Sequence, residues 1–216
     1  MSTIIDRYNK IKLNIASIKP IQKTNIIAVS KTFPLEHIKP LVDYGHQHFG
    51  ENKVQEALAK WSGVIKEKEK IKLHMLGKLQ SNKAKDAVKL FHYIHSLDSQ
   101  KLANTLAKHQ TTFKKSLKYF IQVNIGNEIQ KSGIPVGELD QFYNYCKTEL
   151  NLDIIGLMVI PPNDNSSEKY FKSLGELNRS LALKDLSMGM SADYMEAVKH
   201  GATFIRVGSS IFGERS

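Results

Sequence analysis

The sequence predicts an α/β fold, a single (β/α)8 TIM barrel. Three observations carry that prediction. Short apolar runs, too short for helices, alternate with longer segments of helical spacing; there are eight such runs; and no low-complexity linker interrupts the rhythm over the 216 residues. A barrel of this kind needs at least roughly 200 residues, so one domain over 1–216 with short loops is expected. An open doubly wound sheet is the alternative. It normally carries a Gly-rich turn after its first strand, where this chain has Ser30-Lys31-Thr32-Phe33-Pro34.

The elements follow in order. Ile4, Tyr8, Ile11, Ile15 and Ile18 recur at spacings of three and four before Pro20 stops the pattern, so 1–19 is read as an extra helix packed on the barrel. The apolar runs are Ile26–Ser30, Gln47–Phe49, Ile71–Met75, Phe91–His95, Tyr119–Ile125, Ile154–Val159, Asp185–Met188 and Phe204–Val207. Between them, Leu35–Tyr44, Lys53–Trp61, Asn82–Leu90, Lys101–Lys108, Gly137–Leu150, Glu168–Leu181 and Tyr194–His200 are each long enough for a helix. Asn52 and Gln55 have the spacing of a capping box at one helix start, and Ser191 is placed to cap the helix that ends at Gly201.

Composition narrows the function. Lysine and arginine number 31 against 21 acidic residues, a balance of +10, and 41% of residues are hydrophobic, enough for a full core. The longest apolar run, Ile154–Ile160, has seven residues, against the roughly 18 that span a bilayer, so no membrane partner is expected. The single cysteine, Cys146, cannot form an intrachain disulfide, and Asp6, Arg7, Lys10 and Lys12 stand where a signal peptide needs an apolar core; a cytoplasmic location is expected. The basic excess invites a nucleic-acid reading, yet the densest run, Lys66-Glu67-Lys68-Glu69-Lys70, alternates in sign, and no aromatics interleave with the basic residues. No nucleic-acid partner is expected; a small anion is the ligand such a surface attracts.

In a barrel, function sits at the carboxyl ends of the strands. After the first run stands Lys31, where partial desolvation favours the neutral amine that attacks a carbonyl; the alternative is a lysine that reaches into solvent. After the eighth run comes Gly208-Ser209-Ser210, small residues able to offer amides and hydroxyls to a phosphate, or else an ordinary polar turn. Leu186 to Ser191 places a second Gly/Ser cluster beside it. Asn52 follows the second run and can touch a ligand from the loop. His74 reads as a core or rim histidine bonded to a neighbour. The eight histidines and one cysteine show no recognised metal-ligand spacing, and no metal is expected.

Seven ordered segments together resemble the pyridoxal phosphate homeostasis proteins, whose fold is the barrel domain of alanine racemase. They are IIAVSKT around Lys31, HFGENKVQE around Asn52, HMLGKLQSNK from His74, VNIGNEIQKSGI near Lys131, GLMVIPP from Gly156, LSMGMSADYMEAV around Ser191 and IRVGSSIFGER around Arg206. The resemblance implies that Lys31 holds pyridoxal 5′-phosphate as a Schiff base, that Ser191, Gly208 and Ser209 hold its phosphate, that Arg206 faces the pyridine nitrogen, and that Asn52 lies beside the cofactor. Arginine stays protonated and can only donate to that nitrogen, which makes the ring a poorer electron sink than one paired with a carboxylate.

A racemase also needs an acid/base group on the opposite face of the substrate, which in the racemases is a tyrosine from a further C-terminal domain of the partner subunit. This sequence ends at Ser216, ten residues after Arg206, so such a domain is not expected. Nothing in the spacing of Tyr44, Tyr93 and Tyr194 recommends them as substitutes. A non-catalytic protein that stores, buffers or delivers pyridoxal 5′-phosphate is therefore expected, monomeric, with cofactor-dependent apoenzymes as acceptors. A weak pyridoxal-phosphate-dependent amino-acid racemase is the alternative.

Overall fold

A computed structural model describes residues 3–128, 130–164 and 166–214. Met1 and Ser2 of the expected first helix, and Ser216 at the end of the expected domain, lie outside the described residues. The strands are β1 (Asn25–Val29), β2 (His48–Glu51), β3 (Lys72–Met75), β4 (Tyr93–Leu97), β5 (Lys118–Asn124), β6 (Ile134–Pro135), β7 (Asp153–Met158), β8 (Asp185–Met190) and β9 (Phe204–Val207). The helices are α1 (Ile4–Ile18), α2 (Leu35–Asp43), α3 (Val54–Glu67), α4 (Ala84–Leu90), α5 (Gln100–Phe113), α6 (Leu139–Asn144), α7 (Ser167–Ser180), α8 (Tyr194–Lys199) and α9 (Ser209–Phe212).

All pairings are parallel, in the order β4-β3-β2-β1-β9-β8-β7-β5, and β4 also pairs with β5, with Tyr93 opposite Lys118, which closes an eight-stranded barrel. The eight expected runs are its eight strands. β6 is an addition that the sequence reading lacks: two residues pair with the end of β5, Val123 opposite Ile134.

Strand alternation makes two layers. Ile26 and Ala28 of β1, Phe49 of β2, Leu73 and Met75 of β3, and Ile205 and Val207 of β9 face outward into a continuous apolar layer beneath the helices. Ile27, Leu76, Phe120, Met158 and Phe204 form a separate, smaller cluster in the lumen.

α1 behaves as the periodicity predicts. Thr3 and Asp6 form a capping box at its start, with bonds of 3.1 and 2.9 Å, and Lys19 ends it in a left-handed conformation (φ 53°). The helix is pinned across the last two elements: Arg7 Nε donates to the Ile211 carbonyl (2.6 Å) and Asn14 Nδ2 to the Tyr194 hydroxyl (2.9 Å).

Three helical expectations need correction. Asn52 and Gln55 make no capping box: α3 starts at Val54 with Lys53 as its cap residue and no side-chain cap bond. Ser191 does not cap α8, because the Asp193 carboxylate accepts from Met190 N (2.6 Å) and folds 190–193 into a turn, delaying the helix to Tyr194. The span 137–150 is not one regular helix; α6 ends at Asn144 and widens into a π-type turn in which Leu150 N bonds back five residues to the Tyr145 carbonyl (3.3 Å).

Candidate functional site

A cavity of about 550 Å³ opens at the carboxyl ends of the strands, and Lys31, Asn52, Ser191, Arg206, Gly208 and Ser209 all line it. Val29, Leu76, Ile160 and Met190 supply its apolar wall. Among the described residues that line it, the ionisable side chains are Lys31, Arg206 and Glu214.

Lys31 stands where β1 gives way to a tight turn. Thr32 takes a left-handed conformation (φ 69°), unusual for a β-branched residue, and Phe33 N bonds back to the Ser30 carbonyl at 3.2 Å. Side chains from α3 clamp both neighbours of the lysine. Lys60 Nζ donates to the Ser30 carbonyl (2.7 Å), and the Glu56 carboxylate accepts from Thr32 N. Behind them Glu51 Oε1 accepts from Ser30 Oγ (2.7 Å), Lys60 Nζ (2.9 Å) and Trp61 Nε1 (2.9 Å), all in the interior. Two bonds to the backbone, from Lys60 and Glu56, and a Glu51-centred set of side-chain bonds behind them thus fix the turn that presents Lys31. Sequence reasoning missed Glu51, Glu56, Lys60 and Trp61; the i,i+4 spacing of Glu56 and Lys60 was the available signal.

The loop and the start of α2 also touch the helix that follows the neighbouring strand, β9. Phe33 packs on Phe212 of α9 with ring centroids 5.4 Å apart, and His37 Nε2 bonds the Phe212 carbonyl at 2.9 Å. Asn52 is fixed through its backbone, against which Gly77 packs so closely that a side chain at 77 would collide with it.

Arg206 is buried. Its Nη1 donates to Ser187 O and Ser187 Oγ, each at 2.8 Å, and its Nη2 to the Val159 carbonyl at 2.8 Å. Burial pushes its pKa down to about 10, so it remains a cation at neutral pH. Small residues bring the next two loops together. Gly189 has φ 89°, and a Cβ there would stand 2.5 Å from the Ala197 Cβ; a Cβ on Gly208 would stand 3.2 Å from the Val29 carbonyl. The first amides of α9 have no intrahelical partner, and the Ser191 hydroxyl, freed from capping, stands in the same wall.

Below the cavity three histidines fill the lumen. His74 is bonded to His48 and to His95, which agrees with the reading of His74 as a core histidine bonded to neighbours. Burial holds His74 and His95 well below the usual imidazole value, and burial together with Lys23 and Lys72 lowers His48 to about 4. The three tyrosines weighed as acid/base groups lie elsewhere: Tyr93 stacks on His74 in the lumen (4.2 Å), Tyr194 bonds Asn14, and Tyr44 bonds Asn9 at the surface (3.2 Å). Lys131 bonds Glu128 (2.6 Å) and the Pro161 carbonyl (3.2 Å). Away from the barrel mouth, Glu168, Glu196 and His200 cluster between α7 and α8, a grouping that linear spacing did not reveal; Lys199 pairs with Glu196 at 2.9 Å.

The profile of the alanine racemase N-terminal domain matches residues 7–216. The chain is 37% identical to a pyridoxal phosphate homeostasis protein of Aquifex aeolicus over 88% of this chain and 86% of that one. The chain belongs to the pyridoxal phosphate homeostasis protein family. A relative of the same description from Schizosaccharomyces pombe is 34% identical, over 100% of this chain and 94% of that one. The solved structure of PipY from Synechococcus elongatus with PLP bound superposes with a TM-score of 0.82 at 36% identity, covering 93% of this chain and 99% of that chain. An alanine racemase of Clostridium difficile shares the fold alone, with a TM-score of 0.74 at 13% identity and 57% of that chain covered.

Proposed function

We propose that this protein binds pyridoxal 5′-phosphate at the mouth of its barrel and holds it for storage or delivery without turning over a substrate. One observation carries the reading: six residues from four separate segments line one cavity that offers an amine, an arginine and a cluster of small hydrogen-bond donors, a fit to a reactive aldehyde that carries a phosphate. Relatives over most of the chain are described as homeostasis proteins, and PipY has been solved with PLP bound, which supports the same assignment.

When bound, pyridoxal 5′-phosphate supplies an aldehyde that an amine captures reversibly and a ring that withdraws electrons. The rest is done by side chains of this protein. Lys31 supplies the amine, on a backbone fixed by Lys60, Glu51 and Glu56. Ser191, Ser209 and the amides about Gly208 take the phosphate. Arg206, cationic and anchored on Ser187 and Val159, would face the ring nitrogen as a donor that cannot give up its proton. Asn52 would border the ring, and the apolar wall would limit water.

The carrier reading rests on what the cavity presents. Besides Lys31 and Arg206, its described ionisable lining is Glu214, and of the three tyrosines weighed Tyr93 lies in the lumen, Tyr194 is buried against α1 and Tyr44 is at the surface. Release to cofactor-dependent apoenzymes, a monomeric state and a cytoplasmic location belong to this proposal; no described helix is long and apolar enough to cross a membrane.

The test is borohydride reduction of the protein loaded with pyridoxal 5′-phosphate, followed by peptide mapping. The pyridoxyl adduct is expected on Lys31 and absent from Lys31→Ala; an adduct concentrated on another lysine overturns the site. Incubation with single amino-acid enantiomers in heavy water addresses the racemase alternative. Lys31-dependent deuteration at the α-carbon would replace the carrier reading with an enzymatic one.

A further inference from the structure

The lumen histidines are joined to Arg206 by an unbroken series of hydrogen bonds. Arg206 Nη1 reaches Ser187 Oγ (2.8 Å), Ser187 Oγ reaches His95 Nδ1 (2.8 Å), His95 Nε2 reaches His74 Nδ1 (2.9 Å), and His74 Nε2 reaches His48 Nδ1 (2.9 Å). His48 opens β2, at the amino end of the barrel, and is only half buried, while Ser187, His95 and His74 are fully buried. The series therefore runs through the lumen from the floor to the mouth.

Chemistry fixes its direction. A guanidinium has no acceptor, so Ser187 Oγ receives from Arg206; the hydroxyl's own buried hydrogen still needs an acceptor, and His95 Nδ1 at 2.8 Å provides it. His95, neutral and bare at Nδ1, must carry its hydrogen on Nε2 and donate to His74 Nδ1. By the same reasoning His74 donates from Nε2 to His48 Nδ1, and His48 carries its hydrogen on Nε2. One cation at the mouth thus sets the tautomer of three rings.

We propose that Ser187, His95, His74 and His48 form one directional relay that holds Arg206 in place and couples its anchoring to the protonation of His48 at the barrel floor. A second hydrogen on His48 would occupy Nδ1 and remove the acceptor of His74. The arrangement that restores every ring-to-ring bond has each ring hydrogen moved to Nδ1: His48 donates to His74 Nε2, His74 to His95 Nε2, and His95 to Ser187 Oγ. One proton is taken up in total; His48 ends with two hydrogens, His74 and His95 with one each, and Ser187 with its own. Ser187 Oγ then accepts from both His95 and Arg206, and its buried hydroxyl hydrogen loses its acceptor. The neutral relay is the one that seats Arg206 best.

The surroundings favour the neutral form. Lys23 and Lys72 bear on His48, while His46, His92 and the stacked Tyr93 surround His74. His95 stacks on Phe120 at 4.3 Å and feels Arg206. Tyr93 in turn has Lys118 over its ring (5.8 Å) and feels Asp153 and Asp185. Asp153 and Asp185 act on Tyr93, and at the mouth Asp193 acts on Arg206, where its charge favours the guanidinium.

The test reads the ring nitrogens of the whole protein, labelled with ¹⁵N at histidine and free of cofactor, so it does not depend on the cofactor assignment. At pH 7 all three rings are expected to carry hydrogen on Nε2, with through-bond couplings across both His–His contacts. Ser187→Asp, whose carboxylate can only accept, is expected to move the hydrogen to Nδ1 on all three rings. Nδ1–H on any of them in the parent protein overturns the relay, as does an unchanged His48 in a folded Ser187→Asp. Should that variant fail to fold, the parent's couplings and tautomers decide. The link to the cofactor rests on the proposed function and has its own readout: with pyridoxal 5′-phosphate bound, His48→Gln is expected to move the acid midpoint of the visible band by about half a pH unit or more. An unmoved midpoint overturns that link, whereas failure of the protein to bind pyridoxal 5′-phosphate would overturn the proposed function and leave the tautomer result standing.

Discussion

The two layers of this barrel are built on opposite rules. Between strands and helices the contacts are mainly apolar, with Phe49, Leu73, Tyr119, Phe171, Ile205 and Trp61 in one buried layer and the Glu51–Lys60–Ser30 bonds set within it. Inside the strands, Ile27, Leu76, Phe120, Met158 and Phe204 share the space with Ser187, Arg206 and three histidines. The outer layer gains stability from area removed from water. The lumen gains less from area and more from having each polar group satisfied, because an orphaned donor there loses its full hydration. Stability is concentrated outside and chemistry inside, in one sheet whose residues alternate between the two.

Acid tests this division most severely. His46, His48 and His92 titrate near 4 in the folded chain against an ordinary value of 6.5, and His74 and His95 also lie low, with burial the leading cause throughout. Below pH 6.5 the unfolded chain takes up protons that the folded chain refuses. Stability is therefore complete above that pH and is lost as pH falls toward 4. Each ring kept neutral at pH 5 accounts for up to ~2 kcal/mol, and the urea midpoint is expected to drop steeply between pH 7 and 5. A flat profile would mean that the lumen admits charge.

Trp61→Ala strikes the outer layer. The ring is fully buried and its Nε1 donates to Glu51, so a loss of about 3–5 kcal/mol is expected in urea unfolding. Gly50→Ala probes lumen packing. The new methyl would stand 2.5 Å from Leu76 Cδ1 and 2.8 Å from Ile27 Cγ2, and about 1–3 kcal/mol should be lost by the same measurement; a neutral result would show a lumen with room to spare. Leu13→Ser belongs to neither layer. Leu13 is 71% exposed on α1, and its thermal midpoint should correspond to a change within about 0.5 kcal/mol.

The outer layer was legible in the sequence and the lumen was not, for a physical reason. Outward residues such as Ile26, Ala28, Ile205 and Val207 form the apolar pattern from which strands are read. Lumen residues interrupt it: β4 runs from Tyr93 to Leu97, while the apolar pattern suggests a strand from Phe91 that stops at the inward His95. Cavity residues were found by their place just after each run and by seven motifs, both of which survive errors of a residue or two. Ser191 and Asn52 were placed at the mouth correctly but given capping roles they lack, because linear spacing does not say which of two nearby polar side chains, Ser191 or Asp193, claims the turn. The Glu51, Lys60 and Trp61 cluster was invisible for a related reason: partners from a strand and the following helix meet only once the barrel has closed.

The bond from Arg7 to the Ile211 carbonyl links positions 204 apart. α1 is made before α8 and α9 yet finds its seat only after they exist. During synthesis the growing sheet keeps two raw edges, β1 and whichever strand was made last, and neither can be covered early. Ring closure is thus a late, non-local event, fastened only when the first helix crosses the seam.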